Sequence, residues 1–91
     1  MRFSRNFISY LLSVIPLETV ISEEGVELLP KGKNFLGLCP FHDDRTASFL
    51  VISEKQFYYC FGCGCNGGIF DFLMKFNGCS FLGAVIYLCE K

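Results

Sequence analysis

The first apolar residues of the chain recur at the spacing of a helix. Five of them share this pattern, with polar residues between them: Phe7, Ile8, Leu11, Leu12 and Ile15. The period predicts an amphipathic helix over residues 4–13 whose apolar side packs on a core. Pro16 suits the first turn of a second short helix, which we expect to end at about Ser22.

Short segments rich in β-branched, aromatic and other apolar residues follow. Four of them are predicted to be strands: residues 26–29, 34–38, 48–52 and 56–59. Turns at residues 30–33 and 53–55 join them into two hairpins. The second strand of each hairpin leads directly to a cysteine, Cys39 or Cys60, so both hairpins deliver a thiol to a common site.

The last part of the chain again has helical patterns. A glycine-rich loop over residues 64–68 precedes a predicted helix over residues 69–76, which Gly78 ends. Ser80 is a suitable N-cap for a final helix that reaches about Leu88. Helices before and after a small sheet predict a compact α+β domain.

Length and charge limit the possible functions. The 91 residues form one domain at most, and 52% of them are hydrophobic, including 11 phenylalanines, so an aromatic core is expected. A chain this short gains much from a metal that ties its segments together. The net charge of −1 is not that of a strongly basic nucleic-acid-binding protein, and it argues against a function that depends on bulk charge.

The six cysteines allow two opposite interpretations. They would suit a secreted disulfide scaffold, and Arg2 and Arg5 before the apolar residues 7–17 resemble a signal peptide. No small-x-small cleavage site follows, however, and an amphipathic core helix explains the same residues better. No apolar run approaches the roughly 18 residues of a membrane span. We therefore expect a cytoplasmic protein with reduced thiols and no membrane partner.

Two short motifs predict a metal site. Cys39-Pro40-Phe41-His42 and Cys60-Phe61-Gly62-Cys63 each place two metal ligands at their first and last positions. Three thiolates and one imidazole suit tetrahedral Zn²⁺, and two paired motifs are a strong zinc signal. His42 is the only histidine of the chain. We therefore expect one structural Zn²⁺, held by Cys39, His42, Cys60 and Cys63.

The other three cysteines have different expected roles. Cys65, two residues after Cys63, is either a loop thiol without a metal role or a ligand that exchanges with Cys63. Cys79 and Cys89 lie beside or within apolar helical runs and are expected to be buried small hydrophobic residues.

Five stretches of the chain, in this order, closely resemble the N-terminal zinc-binding domain of bacterial (DnaG-type) DNA primases: residues 31–35, 39–42, 45–49, 55–64 and 71–74. The resemblance extends from about residue 7 to residue 88. It implies a small zinc-ribbon-like antiparallel sheet flanked by N- and C-terminal helices, with Cys39, His42, Cys60 and Cys63 as zinc ligands. It also implies that the domain helps to choose the initiation site on a single-stranded template, beside a separate polymerase core that makes the RNA primer.

The chain departs from that family in a few respects. Ala47 stands where the family usually has proline. The 91 residues contain no glycine-rich phosphate loop and no acidic cluster suited to Mg²⁺, and the pairs Asp43-Asp44 and Glu23-Glu24 are expected to be solvated. We therefore expect a single domain over residues 1–91, with a core of about residues 7–88, no polymerase core and no catalytic residues. Alone, such a chain would not polymerise nucleotides.

Cations and aromatic rings near the predicted sheet are candidates for binding single-stranded nucleic acid. The expected contacts are Lys33, Arg45, Lys55, Phe35 and Tyr59. Strand alternation places Phe57 and Tyr59 on one face and Tyr58 on the other, so only one of these sets is free to stack on bases. The other interpretation is that all the rings belong to the core and that the lysines only keep the surface soluble.

Two functional hypotheses follow. The first is a template-recognition module of a DNA primase in DNA replication, which binds single-stranded DNA. It either works in trans with a separately encoded polymerase core and a replicative helicase or is left by truncation of a longer gene. The second is a zinc-stabilised interaction or regulatory module that docks on a primase or helicase without reading DNA. The resemblance favours the first, and the near-neutral charge favours the second.

Overall fold

The computed structural model describes residues 3–43 and 45–90. Four α-helices and five β-strands follow one another in these residues: α1 (Arg5–Val14), α2 (Leu17–Glu23), β1 (Leu28–Lys31), β2 (Asn34–Gly37), β3 (Phe49–Ile52), β4 (Phe57–Cys60), β5 (Asn66–Gly67), α3 (Ile69–Asn77) and α4 (Phe81–Cys89). A 3₁₀ turn, Ser53–Lys55, joins β3 to β4. The predicted α+β architecture, with an antiparallel sheet between N- and C-terminal helices, is confirmed.

The five strands form one antiparallel sheet in which each strand lies beside the next along the chain. Residues that pair across neighbouring strands share a face of the sheet. Phe35 pairs with Val51, and Val51 with Tyr58, so these three lie on one face, which we call the inner face. Tyr59 pairs with Leu50 on the opposite, outer face.

The core lies between the inner face of the sheet and the helices, and α1 contributes Leu11 to it. Its fully buried side chains come from both layers and include Phe49, Val51, Tyr58, Leu17, Ile21, Phe72, Leu73 and Val85. Phe41, from the first cysteine motif, extends this core. Its ring centroid lies 5.6 Å from that of Phe72 and 6.1 Å from that of Tyr58. The metal motif is therefore attached to the core by its own aromatic residue.

Local sequence signals set the helix ends. The Ser4 and Ser80 hydroxyls accept hydrogen bonds from backbone N–H groups in the first turns of α1 and α4. Gly78 ends α3 in the left-handed region, at φ +65°. The predicted cap at Ser80 and the predicted end at Gly78 are confirmed. In the described ranges no single helix is long and apolar enough to cross a membrane; α3 and α4 reach that length and composition only as a pair bent by 104°.

The first hairpin differs from its prediction. β1 begins at Leu28 rather than at residue 26, and the turn consists of Gly32 and Lys33 alone. Pro30 led us to expect a longer turn, but β1 is an edge strand, where a residue without an N–H is tolerated. Gly32, at φ +62°, closes the shorter turn.

The predicted loop over residues 64–68 contains the fifth strand. Gly67 pairs with Tyr58 and Asn66 with Tyr59, which extends the sheet by one short strand. Two residues carry no periodicity of their own, so a strand of this length depends on the neighbouring strand β4 and not on a local pattern.

Gln56 joins the sheet to the helical layer. Its side-chain N–H groups donate to the carbonyl oxygens of Leu12 (3.2 Å) and Ile15 (2.6 Å). Its Oε1 accepts from the backbone N–H of Leu17 (2.9 Å). These groups lie where α1 ends and α2 begins, so one amide side chain satisfies the backbone of this junction.

Gln56→Ala should lower the free energy of unfolding by about 2–3 kcal/mol, because it removes the partner of three partly buried backbone groups. Denaturant unfolding of the zinc-loaded protein measures this difference. Glu54→Ala, an exposed change on the same turn, should stay within about 0.5 kcal/mol of wild type. A Gln56→Ala variant as stable as this control would contradict the role of the amide.

Candidate metal centre

Four metal-ligand side chains meet at one end of the sheet. Strands β2 and β4 both lie antiparallel to β3, so they run in the same direction and end at the same edge. Cys39 follows β2 and Cys60 ends β4, and the two motif turns bring His42 and Cys63 to them. The ligand atoms of these four residues all lie within 4.8 Å of one another. The two predicted motifs therefore form one cluster.

The distances and donors suit zinc. Zn–S bonds of about 2.3 Å at tetrahedral angles separate two ligand sulfurs by about 3.8 Å. The sulfur atoms of Cys39 and Cys63 lie 3.8 Å apart. Four protein ligands of this type leave no open coordination position, which is the pattern of a structural zinc site. The donor set is consistent with one structural Zn²⁺. A zinc site needs these thiols reduced, so it argues against the alternative of a disulfide scaffold.

Backbone N–H groups donate hydrogen bonds to two of the sulfurs, which favours their thiolate form. The N–H of Phe41 donates to Sγ of Cys39 (3.4 Å), and the N–H of Gly62 donates to Sγ of Cys60 (3.3 Å). Burial raises the pKa of the Cys39 thiol. For Cys60 burial acts in the same direction, but hydrogen bonds from the Ser48 hydroxyl and backbone N–H groups outweigh it and lower the pKa to about 7. Coordination to Zn²⁺ deprotonates a thiol outright, so it overrides the effect of burial at Cys39.

Gly62 leaves space for the imidazole ring. A Cβ at this position would lie 2.9 Å from Nε2 of His42 and 3.2 Å from the hydroxyl of Ser48. The close approach therefore requires a residue without a side chain between Cys60 and Cys63.

Gly62→Ala should weaken zinc binding by about 10- to 100-fold, because the new methyl group displaces the His42 imidazole. This is the effect usually seen when residues that orient a metal ligand are changed. Competition with a chromophoric chelator measures the affinity. Gly68→Ala is the matched control: its nearest neighbour would lie at an ordinary contact distance of 3.5 Å. Equal zinc affinities in the two variants would show that the imidazole does not depend on this space.

Three further cysteines lie outside this group of four. The Sγ atom of Cys65 lies 3.8 Å from that of Cys39 and 3.4 Å from that of Cys63, so the structure brings it beside the predicted ligands. Cys79 is half-buried, in partial agreement with the prediction. The prediction that Cys89 is buried is wrong. It is exposed because Leu88, its neighbour on α4, occupies the face that turns to the core.

The structure distributes the predicted nucleic-acid contacts over both ends of the sheet. Lys33 and Lys55 lie on the β1–β2 and β3–β4 turns, at the end opposite the metal cluster. Arg45 follows the first cysteine motif and lies near the metal end. All three side chains are exposed. Of the acidic pair before Arg45, Asp43 is exposed and Asp44 lies outside the described residues.

The two predicted stacking rings do not share a surface. Tyr59 is 37% exposed on the outer face, whereas Tyr58 is 1% exposed in the core, as strand alternation predicts. Phe35 pairs with Val51 on the inner face and packs against the core. Phe35 and Tyr59 therefore lie on opposite faces of the sheet, and their predicted contacts with nucleic acid stay predictions.

Phe61 is an exposed ring that is not among the predicted contacts. It is 69% exposed, and its centroid lies 5.1 Å from that of Tyr59. Phe41, which also lies between two ligands, packs in the core, so a position within a motif does not by itself predict whether the ring is exposed. Tyr59 and Phe61 form an exposed aromatic pair next to the metal cluster.

Comparisons with known proteins identify relatives of the chain. The family model of the CHC2 zinc finger of DnaG matches residues 3–91. The DNA primase of Escherichia coli (strain K12) is 45% identical over 84 residues, which are 92% of this chain and 14% of that protein. The DNA primase of Clostridium acetobutylicum is 49% identical over 71 residues, 78% of this chain and 12% of that protein.

A solved structure has the same fold. The crystal structure of the Aquifex aeolicus primase (zinc binding and RNA polymerase domains) superposes with a TM-score of 0.83 at 37% identity. The match covers 91% of this chain and 20% of that one. The chain thus spans a small part of the length of the relatives that it matches.

Proposed function

Since this chain belongs to the CHC2 zinc finger family of DnaG-type DNA primases, we propose that it acts as the template-recognition module of a primase. In this role it binds single-stranded DNA and supports RNA primer synthesis during DNA replication. Cys39, His42, Cys60 and Cys63 hold one structural Zn²⁺. The exposed aromatic pair Tyr59 and Phe61, beside that cluster and between cations at both ends of the sheet, is the observation that carries the proposal.

The outer face offers a surface on which bases can stack. Helices cover the inner face, and the residues around Tyr59 on the outer face are apolar and only partly buried: Leu36, Leu50, Ile52 and Phe57. Stacking of a base on an aromatic side chain contributes about 1–3 kcal/mol and does not require a particular base. Two neighbouring exposed rings at the end of the outer face therefore suit a short segment of single strand.

The exposed cations set the expected strength of binding. Lys33 and Lys55 at one end and Arg45 at the other can neutralise about three phosphates of a strand that runs across the outer face. Each phosphate contact contributes a salt slope of about −0.7 on single strands, so three contacts predict a slope of about −2. Affinity should then fall about 20-fold between 50 and 200 mM salt. Binding by the isolated domain is accordingly weak.

The relatives support the proposed polymerase partner. They are DNA primases, and the Aquifex aeolicus structure contains an RNA polymerase domain as well as the zinc-binding domain. We propose that this module works in trans with such a polymerase core, with the replicative helicase as a further partner. Its place of action is the cytoplasm, where reduced thiols can bind zinc.

Fluorescence anisotropy with a labelled single-stranded oligonucleotide at low salt tests this function. Tyr59→Ala should weaken binding by about tenfold, since it removes one stacking ring. Arg45→Ala should weaken binding and make the salt slope shallower by about 0.7. Zinc content and melting temperature should stay unchanged in both variants, because both side chains are exposed.

Matched controls lie on helix α1. Tyr10, 61% exposed on α1, and Arg5 at the start of the same helix carry the same chemical groups away from the sheet. Tyr10→Ala and Arg5→Ala should bind like wild type. If wild type does not bind single strands even with a polymerase core present, the template-reading role fails and the interaction-module hypothesis replaces it.

A further inference from the structure

Three sulfur atoms lie close together in the metal cluster, those of the buried Cys39, the exposed Cys63 and the half-buried Cys65. Sγ of Cys39 lies 3.8 Å from Sγ of Cys63 and 3.8 Å from Sγ of Cys65. Both distances equal the separation of about 3.8 Å that tetrahedral zinc imposes on two ligand sulfurs. The thiols of Cys63 and Cys65 are therefore equally far from the thiol of Cys39.

The backbone holds Cys65 close to the metal ligands. Its carbonyl oxygen accepts a hydrogen bond from the N–H of Cys60 (2.9 Å), and the N–H of Gly64 donates to the carbonyl of Cys60 (2.8 Å). Gly64, at φ +80°, makes the tight return that places Cys65 there. Cys65 is half-buried and Cys63 is exposed, so the less accessible of the two thiols is the one tied back to the sheet.

We propose that Cys63 and Cys65 are interchangeable ligands for the fourth coordination position, with Cys39, His42 and Cys60 as the constant set. In the exchange, Cys65 gives up its proton and Cys63 takes one up, as the metal–sulfur bond passes from one to the other. The number of thiolate ligands and the net charge stay the same, and no oxidant is needed. The sulfur atoms of the two residues are 3.4 Å apart and belong to one turn, so Cys65 lies within reach of the position that Cys63 occupies.

Such redundancy protects an exposed metal site. A structural zinc with one accessible ligand loses the metal when that ligand is alkylated, oxidised or taken by a chelator. A second thiolate within reach keeps three sulfur ligands on the metal. This property goes beyond template recognition and can be tested without DNA.

Cobalt substitution tests the exchange, because the near-ultraviolet charge-transfer band of protein-bound Co²⁺ reports the number of thiolate ligands. Cys63→Ser and Cys65→Ser should each bind one Co²⁺ with the wild-type band intensity and with affinity within about tenfold of wild type. The double variant should lose one third of the intensity and bind at least about 100-fold more weakly, since even disturbed outer-shell partners cost up to that much. A Cys63→Ser variant as weak as the double variant would overturn the proposal, as would loss of the metal in Cys65→Ser alone.

Alkylation of the zinc-loaded wild type gives a second measurement that needs no variant. Limited iodoacetamide treatment followed by peptide mass spectrometry should find molecules modified at Cys63 or at Cys65, but not at both, while zinc stays bound. Cys89, an exposed thiol at the end of α4, serves as the internal control for a fully reactive cysteine. Modification of Cys65 alone, or of both residues with zinc retained, would show that the two thiols do not share one coordination position.

Discussion

Cys60→Ala should abolish zinc binding and the native fold together. Cys60 is completely buried, ends the strand β4 and pairs with Phe49 in the core. A structural zinc contributes roughly 10–16 kcal/mol of apparent binding free energy that exists only in the folded site. The net stability of a whole domain is only about 5–15 kcal/mol. Loss of one buried ligand therefore removes a free energy as large as the net free energy of unfolding of a whole domain.

Metal analysis of the purified protein and far-ultraviolet circular dichroism measure this result. Wild type treated with a strong chelator should give the spectrum of the Cys60→Ala variant, since both lack the same metal. Cys79→Ala, a half-buried thiol outside the cluster, and Cys65→Ala should keep one zinc and the native spectrum. A Cys60→Ala protein that retains one zinc and a native spectrum would refute the ligand assignment.

The isolated chain should incorporate no nucleotides on any template. Phosphoryl transfer to a growing primer needs carboxylates that hold Mg²⁺ around the phosphates. Within residues 3–43 and 45–90, the cluster of three or more metal-ligand side chains is the Cys/His group, whose soft donors suit zinc. The described residues therefore give no reason to expect polymerisation by this chain alone.

Addition of a primase polymerase core without its own zinc domain should restore priming or change the positions at which it starts. Mapping of primer 5′ ends on a single-stranded template of known sequence measures this. The Cys60→Ala variant, which lacks the folded zinc site, is the control and should leave priming by the polymerase core unchanged. Arg45→Ala should reduce the change in priming that the wild-type chain causes. Primer synthesis by the purified chain alone, after removal of contaminating polymerases, would contradict this prediction.

The helices and their ends could be predicted because their signals are local. Apolar residues at intervals of three and four mark α1, and the Ser80 cap and the Gly78 stop act within one turn of the helices that they bound. The strands were located less well because pairing, and not local pattern, decides where a strand begins. β1 accepts Pro30 only because it lies at the edge of the sheet, and β5 exists only because β4 lies beside it.

The sequence by itself determined the donor set of the metal centre. Each pair of ligands lies within four consecutive residues, so a single turn is enough to converge them, and thiolate and imidazole chemistry then selects zinc. The sequence also determined that Tyr58 and Tyr59 face opposite ways, since adjacent strand residues always do.

Only the tertiary structure decided which surfaces these residues occupy. Phe35 lies with the core and not with Tyr59, because the register of β2 on β3 places it opposite the buried Val51. Phe61 joins Tyr59 on the surface because the second motif turns its ring away from the sheet interior. Cys65 reaches the ligands because β2 and β4 end at the same edge and bring Cys39 to it. The contacts of Phe35 with Val51 and of Cys65 with Cys39 join residues far apart in the chain, and strand register and packing, which no local pattern encodes, set their distances.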